Sequence, residues 1–234
     1  MKTLTFATIA LTAALYSLNA AAFMEVQLNL AEQKVGSAPE TAIPAEGSVS
    51  TRPSSISQNE AGGVTVKVEN VECLKGKAIV LDDNSDKLSA GVYFDRDRTC
   101  KPASAGKVYL HLDWVSLKHE TGNLGFISMQ NTKFQSILTL MFSYNKTDIV
   151  VLGDKDIELK EITKIGEPLA VDIMLDLTSW KYEVKLDGKK SAEGDMAKTE
   201  DKAYACAGVF TTNPAKASFA ISNVVISPEP ASIK

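Results

Sequence analysis

The stretch from Lys107 to Leu117 alternates with a period of two residues. Val108, Leu110, Leu112 and Trp114 fall on one side, and Tyr109, His111 and Asp113 on the other. Successive side chains of a strand point to opposite faces, so this segment predicts a long β-strand with one face in a core. Shorter runs with the same texture follow along the chain. Val64 to Val68 alternates, Ala78 to Leu81 is a short apolar run, and Gly91 to Phe94 is another. Further strands are predicted over Gly125 to Met129, Ser136 to Tyr144, Asp148 to Leu152, Pro168 to Leu177, Trp180 to Leu186, Tyr204 to Phe210 and Ala217 to Ile226. Asp187-Gly188 suits the positive φ angles of a tight hairpin turn. No stretch of this half carries a helical pattern. Many short strands separated by turn signals predict an all-β, antiparallel two-sheet sandwich or a barrel. The segment Val64 to Ser227, roughly 165 residues, is long enough for one good core.

The residues before Val64 read differently. Met1 to Ala22 has a basic start at Lys2, an apolar run from Leu4 to Leu15, and the small residues Ala20-Ala21-Ala22. That is the layout of a secretory signal peptide. Its apolar run is shorter than the ~20 residues of a membrane helix. No later run is long enough either, so the mature chain is expected to lack a transmembrane segment. The protein is therefore expected to be secreted, periplasmic or on the cell surface. Residues 23–63 begin with a short alternating piece. They continue as Ala, Ser, Glu, Pro and Gly with almost no large apolar side chains. Such a composition buries too little surface to offset ordering entropy, which predicts a flexible N-terminal arm. Residues 228–234 form a C-terminal tail.

Charge and rare residues exclude several functions. There are 25 basic and 29 acidic residues, for a formal net charge of −4. Nucleic-acid binding needs a basic surface that displaces counterions, and no such excess exists. Cys73, Cys100 and Cys206 are the only cysteines. An exported chain meets oxidising conditions, so one bridge is expected. Three single pairings exist and sequence does not choose among them. Cys73 and Cys100 are nearest in sequence, and closing that loop is worth about 3–4 kcal/mol on a chain-entropy argument. The third thiol is expected to be buried or to pair with another chain.

The segment Leu169-Ala170-Val171-Asp172-Ile173-Met174-Leu175-Asp176-Leu177, then Thr178-Ser179-Trp180, then Lys181-Tyr182-Glu183-Val184-Lys185-Leu186-Asp187-Gly188, resembles the concanavalin A-like, laminin-G-like jelly-roll superfamily. The ending Phe219 to Ile226 resembles its closing strand, and Lys77 to Leu81 an early one. The resemblance covers about Val64 to Ser227. It implies a jelly-roll β-sandwich, but not an activity, because the superfamily spans lectins, glycan-binding modules, glycosidases, polysaccharide lyases and adhesion domains. Pro228-Glu229-Pro230-Ala231-Ser232 resembles the opening of a bacterial PEP-CTERM sorting signal. The apolar span and basic tail of that signal do not follow in this sequence, and no anchoring is inferred from it.

Retaining glycosidases of this fold need two carboxylates ~5 Å apart across the sugar bond. Asp113 stands without an acid two or three residues later, and Glu120 lies past the expected strand. Polysaccharide lyases use Tyr and His for proton transfer. Tyr109 and His111 share a strand face, but the longer lyase motifs are missing. Asp82-Asp83-Asn84-Ser85-Asp86 offers hard oxygen ligands in a short loop. Asp82, Asp83, Asn84 and Asp86 are therefore candidate calcium ligands, although Lys87 and Tyr93 stand where an EF-hand needs Gly and Glu. Asp95-Arg96-Asp97-Arg98 reads as a self-neutralising surface run, and Asn145-Lys146-Thr147 is a glycosylation sequon.

Sugar binding needs an aromatic surface beside hydrogen-bonding groups, and Tyr109, His111 and Asp113 supply such a row. The sequence thus predicts a non-catalytic recognition module for a polysaccharide or cell-surface glycan, with calcium as the only candidate cofactor. A structural envelope protein is the alternative, and a lyase or hydrolase with an atypical site comes third.

Overall fold

Valine, isoleucine and aromatic residues recur at every second position over most of the chain, and each such run forms a strand, because branched and aromatic side chains pack well on a pleated surface. The computed structural model describes residues 25–43, 48–94, 102–120, 123–143, 148–160, 162–213 and 216–231. In chain order the strands are β1 (Val26–Gln27), β2 (Ser55–Ser57), β3 (Val64–Val71), β4 (Gly76–Asp83), β5 (Gly91–Phe94), β6 (Lys107–His119), β7 (Gly125–Gln130), β8 (Ser136–Phe142), β9 (Ile149–Leu152), β10 (Ile157–Leu159), β11 (Leu169–Asp176), β12 (Lys181–Leu186), β13 (Lys189–Asp195), β14 (Cys206–Thr211) and β15 (Ala217–Ser227).

They form two antiparallel sheets. One has the order β13-β12-β11-β6-β15-β4-β3, with β1 also paired to β15. The other has the order β10-β9-β8-β7-β14-β5-β2. The first is called sheet A below and the second sheet B. Sequence neighbours are often separated in space: β6 lies between β11 and β15, and β14 lies between β7 and β5. The sheets pack face to face as a jelly-roll sandwich. Val66, Val68, Ile79, Leu81, Leu110, Leu112, Ile173 and Ile221 of sheet A meet Val92, Ile127, Met129, Leu140 and Val209 of sheet B in one core. Trp114 on β6 is stacked between Phe142 of β8 and Phe219 of β15, with ring centroids 3.9 and 3.8 Å apart. The stack therefore joins the two sheets.

The segment 23–63, expected to be a flexible arm, is docked on the sandwich over its described part. Val26 pairs with Ile226, and Ile56 with Val92. Backbone hydrogen bonds connect Gly36 and Ser37 to Val68. Lys77 Nζ donates to the carbonyls of Ala31 and Gln33 at 2.6 and 2.7 Å. Composition misled because docking here runs through backbone pairing and a few anchors, Val26, Leu30 and Pro53, all buried. The arm also covers the outer edge of β3, an edge that would otherwise invite another chain.

Three strands, β2, β10 and β13, lie outside the expected set. All are short or polar edge strands with little apolar alternation. Asp187 and Gly188 turn between β12 and β13 with φ of 49° and 73°, as their residue types required. The signal-peptide residues 1–22, Cys100, the Asp95–Arg98 run and the Asn145 sequon lie outside the described residues.

Cys73 does not enter the expected bridge in this structure and is a free, half-buried thiol. It packs on the outer face of sheet A beside Val71, Ala78, Val115 and Ala220. The chain toward Cys100 instead leaves from β5, in the opposite sheet. Cys206 is buried, with its Sγ 3.6 Å from Gln130 Oε1. Among the described residues no helix is long and apolar enough to cross a membrane.

Candidate functional site

The core face of β6 holds Val108, Leu110, Leu112 and Trp114, so Tyr109, His111 and Asp113 point away from the core, as the alternation requires. Strand pairing then sets their neighbours. Lys185 of β12, Asp172 of β11, His111 of β6 and Val225 of β15 form one row across sheet A. Glu183, Met174, Tyr109 and Ser227 form the next row, and Ala170, Asp113 and Ser222 flank the first on its other side.

The His111 and Tyr109 rows border a cleft of about 530 Å³. Tyr109, His111, Asp172 and Met174 line its base, Glu183 and Lys185 one side, and Pro230 and Ala231 the other. The volume lies within the ~300–1,000 Å³ of typical ligand sites.

His111 is the most buried of the three expected residues, at 6% exposure. Its Nδ1 donates to Asp172 Oδ1 at 2.8 Å, and its Nε2 lies 3.8 Å from Asp113 Oδ1. Asn223 Nδ2 in turn donates to the other Asp113 oxygen at 2.6 Å. The chain Asp172–His111–Asp113–Asn223 thus spans β11, β6 and β15. It fixes the imidazole and leaves little of it open to a ligand.

Asn223 reaches Asp113 because β15 is irregular here. The pairing jumps from Ser222↔Asp113 to Val225↔His111. Asn223 takes a left-handed φ of 52° at the bulge, a conformation that Asn tolerates better than most residues.

The side wall is charged but internally paired. Glu183 lies 3.3 Å from Lys185 and 3.4 Å from Lys190. Burial pushes its carboxyl up, but the two lysines together outweigh this and hold it below the usual carboxylate range.

The expected calcium residues do not gather. Asp82 and Asp83 are successive residues of β4 and point to opposite faces. Asp83 is fully buried, accepting from Thr211 Oγ1 at 2.7 Å and from the Ser85 backbone at 2.8 Å. Desolvation pushes its carboxyl above the usual range, against the lowering effect of those two bonds. Asp82 accepts from Asn84 Nδ2, Asn84 accepts from Lys118, and Asp86 lies 3.9 Å from Lys216. The four side chains therefore turn to different partners and are not presented as one ligand set. Among the described residues no three acidic, histidine or cysteine side chains form a group suited to a metal.

Sequence reasoning missed Asp172, Met174, Glu183 and Lys185. The alternation of Leu169 to Asp176 already put Asp172 and Met174 on the outer face. What the sequence lacked was the pairing of β11 with β6, two strands some fifty residues apart. It also missed an aromatic group on the outer face of sheet B. There Phe210 meets Tyr93 at 4.7 Å and Phe126 at 5.0 Å. The Phe210 ring lies over Gly91 and Gly208, where an added Cβ would come within 2.6 and 2.4 Å of it. Phe210 is only 8% exposed, so this group is chiefly packing.

No protein-family model matches the chain, and no curated protein matches it. Solved structures do share its fold. Cellulose-induced protein Cip1 is similar with a TM-score of 0.55 and 12% identity, over 76% of this chain and 93% of that one. A carbohydrate esterase of the Shiga toxin-encoding bacteriophage phi24B gives 0.52 and 13%, over 74% and 88%. A sialidase gives 0.53 and 14%, over 75% of this chain, which spans only 18% of the sialidase. At these identities the likeness shows the fold alone: a two-sheet antiparallel β-sandwich of the jelly-roll kind. The resemblance of the tail to a sorting signal finds no support in these comparisons.

Proposed function

We propose that the protein is an exported carbohydrate-recognition module that binds glycan in the cleft on the outer face of sheet A. The carrying observation is the cleft itself. It combines one half-exposed aromatic ring, Tyr109, the thioether of Met174, and the polar groups of Asp172, Lys185 and Ser227 within one depression on a rigid sheet. Sugar rings present apolar CH faces and hydroxyl edges, and such a mixed surface meets both. His111 acts here as a positioning residue, holding Asp172 and Asp113 in place. The carbohydrate-related names of two fold neighbours agree with this reading, as an analogy of fold. Export rests on the character of Met1 to Ala22.

The test is affinity electrophoresis of the full mature chain through gels containing xylan, laminarin, alginate or hydroxyethylcellulose. Retardation by one polymer, lost on Tyr109→Ala with the circular dichroism spectrum intact, is expected. Unretarded migration in all four gels sinks the proposal and makes a structural envelope role the leading account.

One observation favours a second reading. The Tyr109 side chain opens onto the cleft next to the Asp172–His111 pair, and a tyrosine so placed can move a proton on a bound sugar while the pair holds the floor. Release of unsaturated or reducing ends from the retarding polymer would favour it.

A further inference from the structure

We infer that the segment Pro228–Ala231 is a built wall of the cleft, and that it makes the site a receptor for the ends of glycan chains. This rests on the glycan reading above and goes beyond it by naming the part of the glycan that is bound.

Four observations carry the inference. First, β15 ends at Ser227, which pairs with Tyr109 on the floor of the cleft. The chain therefore leaves the sheet beside the site. Second, it does not run off into solvent. Pro230 and Ala231 return to line the same cleft as Tyr109, Met174 and His111. Third, the return is stiffened. Ser227 Oγ donates to the carbonyl of Glu229, and prolines at 228 and 230 fix two φ angles near −65°. A short segment so restrained loses little entropy when it is held in one place. Fourth, on the side away from β15 the cleft is bordered by strand residues of the sheet itself, the paired charges Glu183 and Lys185 of β12, with no segment folded over them comparable to Pro230 and Ala231 among the lining residues.

The consequence is geometric. A sheet face that binds an internal stretch of polymer must let the chain enter on one side and leave on the other. Here one exit, past β15, is blocked by Pro230 and Ala231. A polymer can therefore place a terminal unit over Tyr109 and Met174, whereas an internal unit meets the wall. Glu229 and Pro230 are exposed, so the wall is a thin strap over the sheet and not part of the core. Removing it should open the cleft without unfolding β15.

The experiment compares the full mature chain with a form ending at Ser227, and with Pro228→Gly/Pro230→Gly, which keeps the length but loses the stiffness. Whichever polysaccharide retards the full chain is used as competitor, intact and partly hydrolysed, at equal mass. Cutting chains from ~100 to ~10 units creates about ten times as many ends per gram. An end receptor should then need roughly tenfold less competitor mass, by simple mass action. The form ending at Ser227 should respond to mass alone, and the glycine variant should fall between the two. A full chain that responds to mass alone, or a shortened form that keeps the preference for ends, overturns the inference while leaving glycan binding in place. Failure of both forms to bind any polymer overturns the glycan reading, and with it the preference for ends.

A second readout needs no ligand. Hydroxyl-radical footprinting should label Tyr109 and Met174 more strongly once the strap is removed. Unchanged labelling at both residues, with melting temperature unchanged, refutes the wall directly.

Discussion

Replacing Trp114 with alanine removes the middle ring of a three-ring stack. Trp114 is 1% exposed, and its ring planes lie 2° from Phe142 and 19° from Phe219. Truncating a buried tryptophan to alanine costs about 3–5 kcal/mol through lost transfer energy and the cavity left behind. Each stacked aromatic pair adds about 0.5–1.5 kcal/mol beyond burial. The stack is the main aromatic link between β6 and the facing sheet, so little rearrangement can refill the space. A loss of about 5 kcal/mol is expected, a large part of the ~5–15 kcal/mol that holds a typical domain together. With a urea m-value of about 2–3 kcal/mol/M, the unfolding midpoint should fall by about 2 M. Trp114→Phe keeps a ring between Phe142 and Phe219 and should lose less than half as much. Equilibrium urea titrations followed by circular dichroism measure both. A fall of under about 0.5 M for Trp114→Ala would mean that the sheets are held by aliphatic packing alone, and would refute the argument.

Two further changes test other parts of the fold. Asp83 has its carboxyl raised by burial, so the native state holds its proton more tightly than the unfolded chain. The stability this contributes is full below the ordinary carboxylate range near 3.8 and is lost as pH rises through the elevated native value. Asp83→Asn should remove that slope. Urea midpoints for the two proteins, measured from acid to neutral pH, should therefore converge or cross as pH rises, and parallel curves would show that Asp83 is not the titrating group. Gly125→Ala would place a Cβ 2.5 Å from the Phe219 ring and 2.6 Å from the Phe210 carbonyl oxygen. Overpacking against backbone should cost about 1–3 kcal/mol, read as a drop of several degrees in melting temperature by calorimetry; an unchanged transition would show that β7 can shift away from β15.

Much of the fold was legible because its strands obey a strict alternation. Lys107 to Leu117 named its own core face and its own polar face, and both were observed. Asp187-Gly188 named its turn for the same reason, since few residues accept the required φ. Trp180, expected to open the strand that runs to Leu186, is buried at 8% exposure but lies outside that strand. It stands before β12 with a left-handed φ of 58°, and its indole N–H donates to the Ala197 carbonyl at 3.1 Å. What stayed illegible depends on partners distant in sequence. The arm before Val64 looked unable to fold because composition counts side chains, whereas this arm is held through its backbone and through Lys77. The acidic loop looked like a cation site because spacing along the chain ignores that Asp82 and Asp83 point to opposite faces of β4.

The division of labour within β6 explains why the candidate site is where it is. A cleft floor needs side chains whose positions do not drift, and β6 supplies them by burying every second residue in the aromatic and aliphatic core. The outward residues then differ in how tightly they are held. His111 is tied to β11 through Asp172, and Asp113 to the β15 bulge through Asn223. Among the described residues none hydrogen-bonds the Tyr109 side chain, which faces the cleft beside Ser227 and the strap. Rigidity thus increases along the strand away from the strap, and the ring best placed to meet a ligand lies at the end that the strap covers. Binding at this face should therefore respond to changes in Pro228–Ala231 more strongly than to His111→Gln, which perturbs only the support of the floor. Comparing the two variants on the same retarding polymer measures that order directly. The opposite order would make His111 a direct ligand contact and give the cleft a different centre.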